Sequence, residues 1–182
     1  MFSKVGDTAL VFLVPETESV VRSWRTAHDP SAAEGMPAHI TVLYPFIAEG
    51  DLNDHTLKEI ATICDERRPI AVCFKEFGRF PRVLWLKPHG TSCLELITQI
   101  RNRWPECLPY GRSNLEVIPH LTVTDGASEQ IVAQAQADIA PHLPLEALIS
   151  TIALMAFDGN RWVCRQEFAL SRELTAGDQR HA

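Results

Sequence analysis

The sequence predicts an α+β protein built as two similar lobes, and three observations carry that prediction. Helical and strand periodicities alternate along the whole chain, the strand segments come in antiparallel hairpin arrangements, and the order of elements in the first half recurs in the second. At 182 residues, 46% apolar and 22% charged, the chain has the composition of one globular domain with a core of its own. No low-complexity linker divides it. The reading is a single bilobal domain over 1–172, with a first half about 1–80, a second about 81–172, and a polar tail over 173–182 expected to be flexible.

Thr8 to Val14 is a short apolar run ended by Pro15, too short to span a bilayer and without a cleavage pattern, so it reads as a buried strand. Val20, Val21, Trp24 and Ala27 follow at helical spacing behind the candidate caps Thr17 and Ser19. The loop from Asp29-Pro30 to Gly35-Met36-Pro37 stops that helix, and Ala38 to Phe46 reads as a strand ended by Pro45. Leu57, Ile60, Ala61 and Cys64 mark a second helix capped by Asn53 or Asp54. Strands are expected over Ile70–Phe77 and Arg82–Lys87, with Gly78 and Pro81 in the connection.

In the second half Leu94, Ile97, Ile100 and Trp104 outline a helix capped by Thr91 or Ser92. Leu115–Thr124 reads as a strand broken at Asp125-Gly126. Ile131, Val132, Ala135 and Ile139 mark a helix closed by Pro141 and Pro144. A hairpin closes the series: Ile149–Phe157, the turn Asp158-Gly159-Asn160, and Arg161–Leu170.

A net charge of −6 supplies no whole-chain basic field, which disfavours a binder of long duplex DNA but not of a small or single-ended nucleotide. Five cysteines without close pairs read as reduced residues of a cytoplasmic protein, and no membrane association is expected. The histidines show no zinc-site spacing, so no metal or other cofactor is predicted. No phosphate-cradling glycine loop for ATP is present either, which argues against an energy-dependent ligase.

One pattern occurs in both halves. His39-Ile40-Thr41-Val42 and His120-Leu121-Thr122-Val123 each read His, aliphatic, Thr, aliphatic, with Pro37 and Pro119 upstream. On a strand, residues i and i+2 share a face, so each His projects beside its Thr while Ile40 and Leu121 point to the core. A third match, His89-Gly90-Thr91, has a glycine centre and opens a helix, where Thr91 is better explained as a cap. A lone three-residue match means little; two in matched strand context mean more.

On these residues the chain resembles the 2H phosphoesterase superfamily, named for two H-x-T motifs, in its 2′-5′ RNA ligase-like and cyclic phosphodiesterase branch. The matching stretches are Ala38 to Phe46 and Ile118 to Val123. The resemblance implies two pseudo-symmetric lobes with antiparallel sheets, flanking helices and an active cleft between them. It also implies a phosphodiesterase that opens 2′,3′-cyclic phosphates of nucleotides or RNA ends without a metal, with reversible 2′-5′ ligation by the same groups open. His39 and His120 would be the catalytic acid and base, in an order the near-symmetry conceals, and Thr41 and Thr122 would bind the phosphate.

Tyr44, Phe46 and Trp162 are candidate base or ribose platforms, together with Phe80 and Trp85, and Arg161 and Arg82 are candidate phosphate contacts. Arg79, Arg82, Lys87, Arg101, Arg103 and Arg112 form the one stretch enriched in positive charge. Two alternatives stand beside the hydrolase: a non-catalytic nucleotide or RNA-end-binding module, and a phosphodiesterase for a non-RNA cyclic phosphate such as an ADP-ribose derivative. A monomer is expected.

Overall fold

In the computed structural model, residues 3–112 and 116–171 are described. Among them two four-stranded antiparallel sheets form, and the chain's two ends share one of them. β1 (Thr8–Leu13), β2 (His39–Leu43), β7 (Thr151–Phe157) and β8 (Trp162–Ala169) make the first, in the order β2-β1-β7-β8. β3 (Ile70–Phe80), β4 (Val83–His89), β5 (Leu121–Asp125) and β6 (Leu145–Ile149) make the second, in the order β5-β4-β3-β6. The sheets therefore do not divide the chain at residue 80: β3 opens the second sheet, and β7 and β8 return to the first.

β1 reads as an unbroken apolar run because it is buried on both faces. Leu10 and Phe12 enter the main core, which takes side chains from both sheets, while Ala9 and Val11 pack on the opposite face with Met36, Met155 and Trp162. α1 (Glu18–His28) and the short α2 (Pro30–Ala33) lie between β1 and β2 in the chain; α3 (Asp54–Asp65), α4 (Ser92–Arg103) and α5 (Glu129–Ile139) lay Ile60 and Cys64, Leu96 and Ile100, and Val132 and Ala135 on the main core. Asn53 caps α3 through Thr56 N–H at 3.0 Å. Ser128 caps α5 through Ile131 N–H at 3.4 Å. Thr91 precedes α4 but makes no side-chain bond to its backbone; its hydroxyl donates to Glu95 at 2.7 Å. The buried face of α4 runs through Cys93, Leu96, Ile97 and Ile100, leaving Leu94 exposed.

Several boundaries differ from the sequence expectation. Gly78 is not a connection residue: β3 continues to Phe80, and Gly78 pairs with Trp85, whose indole occupies the place a Cβ would take. The expected strand Leu115–Thr124 begins only at Leu121, because Pro119 has no N–H to donate and the carbonyl of Ile118 is taken by the His120 ring. Leu115 lies outside the described residues. Ile149 does not belong to the last hairpin. It pairs with Ile70 as the end of β6, and the chain changes sheet at Ser150 with no turn signal to announce it. The polar tail lies outside the described residues, apart from its approach at Ser171. Among the described residues no helix is long and apolar enough to cross a membrane.

Candidate active site

Each motif lies on an edge strand of its own sheet. In the first sheet Leu13 pairs with His39 and Val11 with Thr41, which turns both motif side chains to the face carrying Val11 and Met36. In the second, Trp85 pairs with Thr122 and Leu86 with Leu121. Ile40 and Leu121 are fully buried in the main core, as the alternation requires.

Both strands then carry the same irregularity. Thr41 and Leu43 face successive residues of β1, so Val42 is an extra residue; Thr122 and Thr124 face successive residues of β4, so Val123 is extra in the same place. A bulge of this kind reverses the alternation beyond it and re-aims the side chains downstream. Residues three beyond each threonine, Tyr44 and Asp125, thereby return to the threonine's side, and both line the cleft.

The imidazoles are anchored alike. His39 Nδ1 lies 2.7 Å from the carbonyl oxygen of Pro37, and His120 Nδ1 lies 2.7 Å from that of Ile118. A carbonyl only accepts, so Nδ1 carries the proton in both rings and Nε2 is left with its lone pair. Burial, then the Arg25 charge, push His39 down to about 3 against the opposing Pro37 hydrogen bond, with a smaller contribution from His120. Burial also lowers His120. With both lowered from the ordinary imidazole value, the two rings are neutral at neutral pH.

The cleft has two compartments. His120 lines the larger, of about 540 Å³, with Phe80, Val83, Arg101, Arg112 and Ile118. His39 lines the smaller, of about 270 Å³, with Glu34, Met36 and Trp162. Thr41, Tyr44, Tyr110, Thr122 and Asp125 line both. Behind the larger compartment, Phe80 and Trp85 pack on the His120 ring at centroid distances of 5.3 and 5.6 Å.

Of the substrate-binding candidates, Tyr44 stands in the cleft between Tyr110 and Trp162, at 6.0 and 5.9 Å, with its hydroxyl donating to Asp7. Trp162 is 6% exposed and borders the smaller compartment. Phe46 is not brought there: it is 6% exposed in the main core, edge-on to Trp104 at 5.3 Å. Arg161 lines neither compartment and sits in the β7–β8 turn, its backbone N–H held by Asp158. Arg82 is turned to the carbonyl of Gly126. Arg79 and Arg103 pair with Glu129 and Glu59, so the positive stretch reaches the cleft only through Arg101 and Arg112.

Three contributors escape sequence reasoning. Arg25, on α1 (Glu18–His28), is 1% exposed and donates to the carbonyls of Thr122 at 2.8 Å, Met36 at 3.1 Å and Pro37 at 3.2 Å, with Asp29 at 3.2 Å as its counter-ion. An arginine on a helix reads as solvated until the fold closes over it. Tyr110 arrives on an irregular loop, tied by its N–H to Tyr44 O at 2.8 Å, and only the Pro109 and Gly111 around it hint at a built turn. Asp125 looks like a strand-breaking residue, because the Val123 bulge leaves no trace in the residue pattern.

Two antiparallel lobes that each present a His-Thr pair to one cleft define a class of fold and site, and comparison with known proteins gives that class its name. Residues 13–161 match the 2′-5′ RNA ligase superfamily, and the chain belongs to it. The Geobacillus kaustophilus protein GK0864, which bears the name of a phosphoesterase, is 26% identical over 117 residues, 63% of this chain and 65% of that relative's length. Escherichia coli LigT, solved with 3′-AMP, superposes with a TM-score of 0.61 at 18% identity, over 93% of this chain and all of LigT. TT0787 of Thermus thermophilus gives 0.64 at 20% identity, over 92% and 100%. These two likenesses establish the fold.

Proposed function

We propose that this protein is a phosphodiesterase that opens 2′,3′-cyclic phosphates of nucleotides or RNA ends by two-histidine acid–base catalysis, without a metal. The observation that carries this reading is the duplicated anchoring of His39 and His120, each with Nδ1–H on a carbonyl and each beside a threonine lining a shared cleft. Opening the ring forms a bond from water oxygen to phosphorus and breaks one phosphorus–ribose oxygen bond. A neutral imidazole takes the water proton at Nε2, and the other, protonated when the substrate anion is bound, gives its proton to the leaving oxygen. The hydroxyls of Thr41 and Thr122 donate to the non-bridging oxygens as charge builds there. With a ribose 5′-hydroxyl in place of water as the nucleophile, the same groups would form the 2′-5′ linkage that the family name carries, the ribose oxygen of the ring leaving with the other imidazole's proton. LigT's complex with 3′-AMP supports a nucleoside phosphate as the product class.

The test is turnover of the four 2′,3′-cyclic nucleotides in EDTA by wild type, His39→Ala and His120→Ala. Wild type is expected to give one phosphate regioisomer and both variants to lose activity by at least about a hundredfold. A wild type that opens none of them, or a variant at full rate, overturns the proposal.

A further inference from the structure

The two halves of the site match in burial and bulge, position for position, until three residues beyond each threonine. From His39 to Leu43 and from His120 to Thr124 the burial alternates identically, the extra residue is valine in both, and the next side chain returns to the cleft. In one half that side chain is the Tyr44 phenol. In the other it is the Asp125 carboxylate. Of the five described residues that line both compartments, Asp125 is the only charged one. The other charged groups of the cleft belong to one side each: Arg101, Arg112 and Glu116 in the larger compartment, Asp29 and Glu34 in the smaller.

The Asp125 side chain makes no hydrogen bond or ion pair with the described residues, while its backbone pairs with Val83, and its charge is felt by Tyr110 and Asp29 on facing segments. The guanidinium closest to the motif strands, Arg25, is spent on Asp29 and three carbonyls. A carboxylate with no counter-ion among the described residues, lining the cleft with the two phosphate-binding threonines, is the reverse of what tight anion binding calls for.

We propose that Asp125 is a specificity-determining residue that makes the cleft discriminate by phosphate charge, accepting singly charged phosphodiesters and disfavouring doubly charged monoesters. The inference rests on the phosphate-binding reading above. In ring opening, a diester with one negative charge and water become a monoester that carries about two charges at pH 7.5, with release of a proton. A fixed negative charge repels a dianion about twice as strongly as a monoanion at the same place, so it favours product release over product retention.

The experiment is equilibrium binding, by calorimetry at pH 7.5, of 2′-deoxyadenosine 3′-phosphate and of its methyl ester to wild type and Asp125→Asn. Neither ligand has a 2′-hydroxyl to cyclise, so binding is read without turnover. The substitution should tighten the monoester about tenfold more than the diester, the effect of one further unit charge near the surface, and the gap should narrow in high salt. An equal change for both ligands, or weaker binding of both, overturns the role of Asp125 and leaves the phosphodiesterase reading standing. Failure of the wild type to bind either ligand overturns both. Asp125→Glu, which keeps the charge, should behave as wild type in the monoester-to-diester ratio; a ratio like that of the asparagine variant overturns the charge argument.

Discussion

Arg25 donates from Nη1 to the carbonyl oxygen of Thr122 at 2.8 Å, so α1, which packs on β5, is hydrogen-bonded to the motif strand of the second sheet. The same guanidinium reaches the carbonyl of Pro37, which also accepts from the His39 ring. One buried cation thus ties together the segments that carry the two His-Thr pairs, and its charge adds to the burial that lowers His39.

Replacing Arg25 by methionine should cost about 3–5 kcal/mol, because it strands buried Asp29 and three carbonyls. Urea unfolding measures this. Arg25→Lys should recover part of the loss, since a lysine keeps the charge but not the fork.

Thr41→Val and Thr122→Val remove one donor each at similar volume. Each should lower kcat on a cyclic nucleotide by about 10²-fold with the unfolding midpoint close to wild type, since both side chains are only half-buried. Steady-state kinetics with parallel melting curves decides it.

The pH dependence follows from His39, held at about 3 against an ordinary value of 6.5. Between those values the unfolded chain binds the proton and the folded chain resists it, so stability falls as pH drops below about 6.5. His39→Asn should flatten the decline in Tm between pH 7 and pH 5. A phosphate anion in the cleft favours the imidazolium, so anion binding should take up protons and tighten as pH falls. Calorimetry in buffers of different ionisation enthalpy detects the uptake.

Gly78→Ala places a Cβ into the Trp85 indole, which itself packs on His120 at 5.6 Å. The variant should lose about 1–3 kcal/mol of stability. It should also show altered tryptophan fluorescence and reduced turnover, because the plane supporting His120 must shift.

Much of this architecture is legible along the chain because it is local. The α3 cap, the period-two burial of His39 to Val42 and the Asp158 turn each depend on neighbours a few residues away. The boundaries that differ have non-local causes. Gly78 is a glycine because of an indole on the neighbouring strand, and Ile149 takes its sheet from Ile70. Phe46 follows the first motif closely, yet past Leu43 the chain turns and hands that ring to Trp104.

The sequence by itself determined the α+β class, the two His-Thr pairs and the imbalance of charge, since residue identity and short spacing suffice for these. Only the tertiary structure decided that the chain's ends share one sheet, that Arg25 is buried between the motifs, and that Asp125 rather than Arg161 or Phe46 lines the cleft. The physical reason is that a bulge, a sheet crossing and a buried ion pair depend on partners far along the chain. Their energies come from desolvation and packing that no local pattern records.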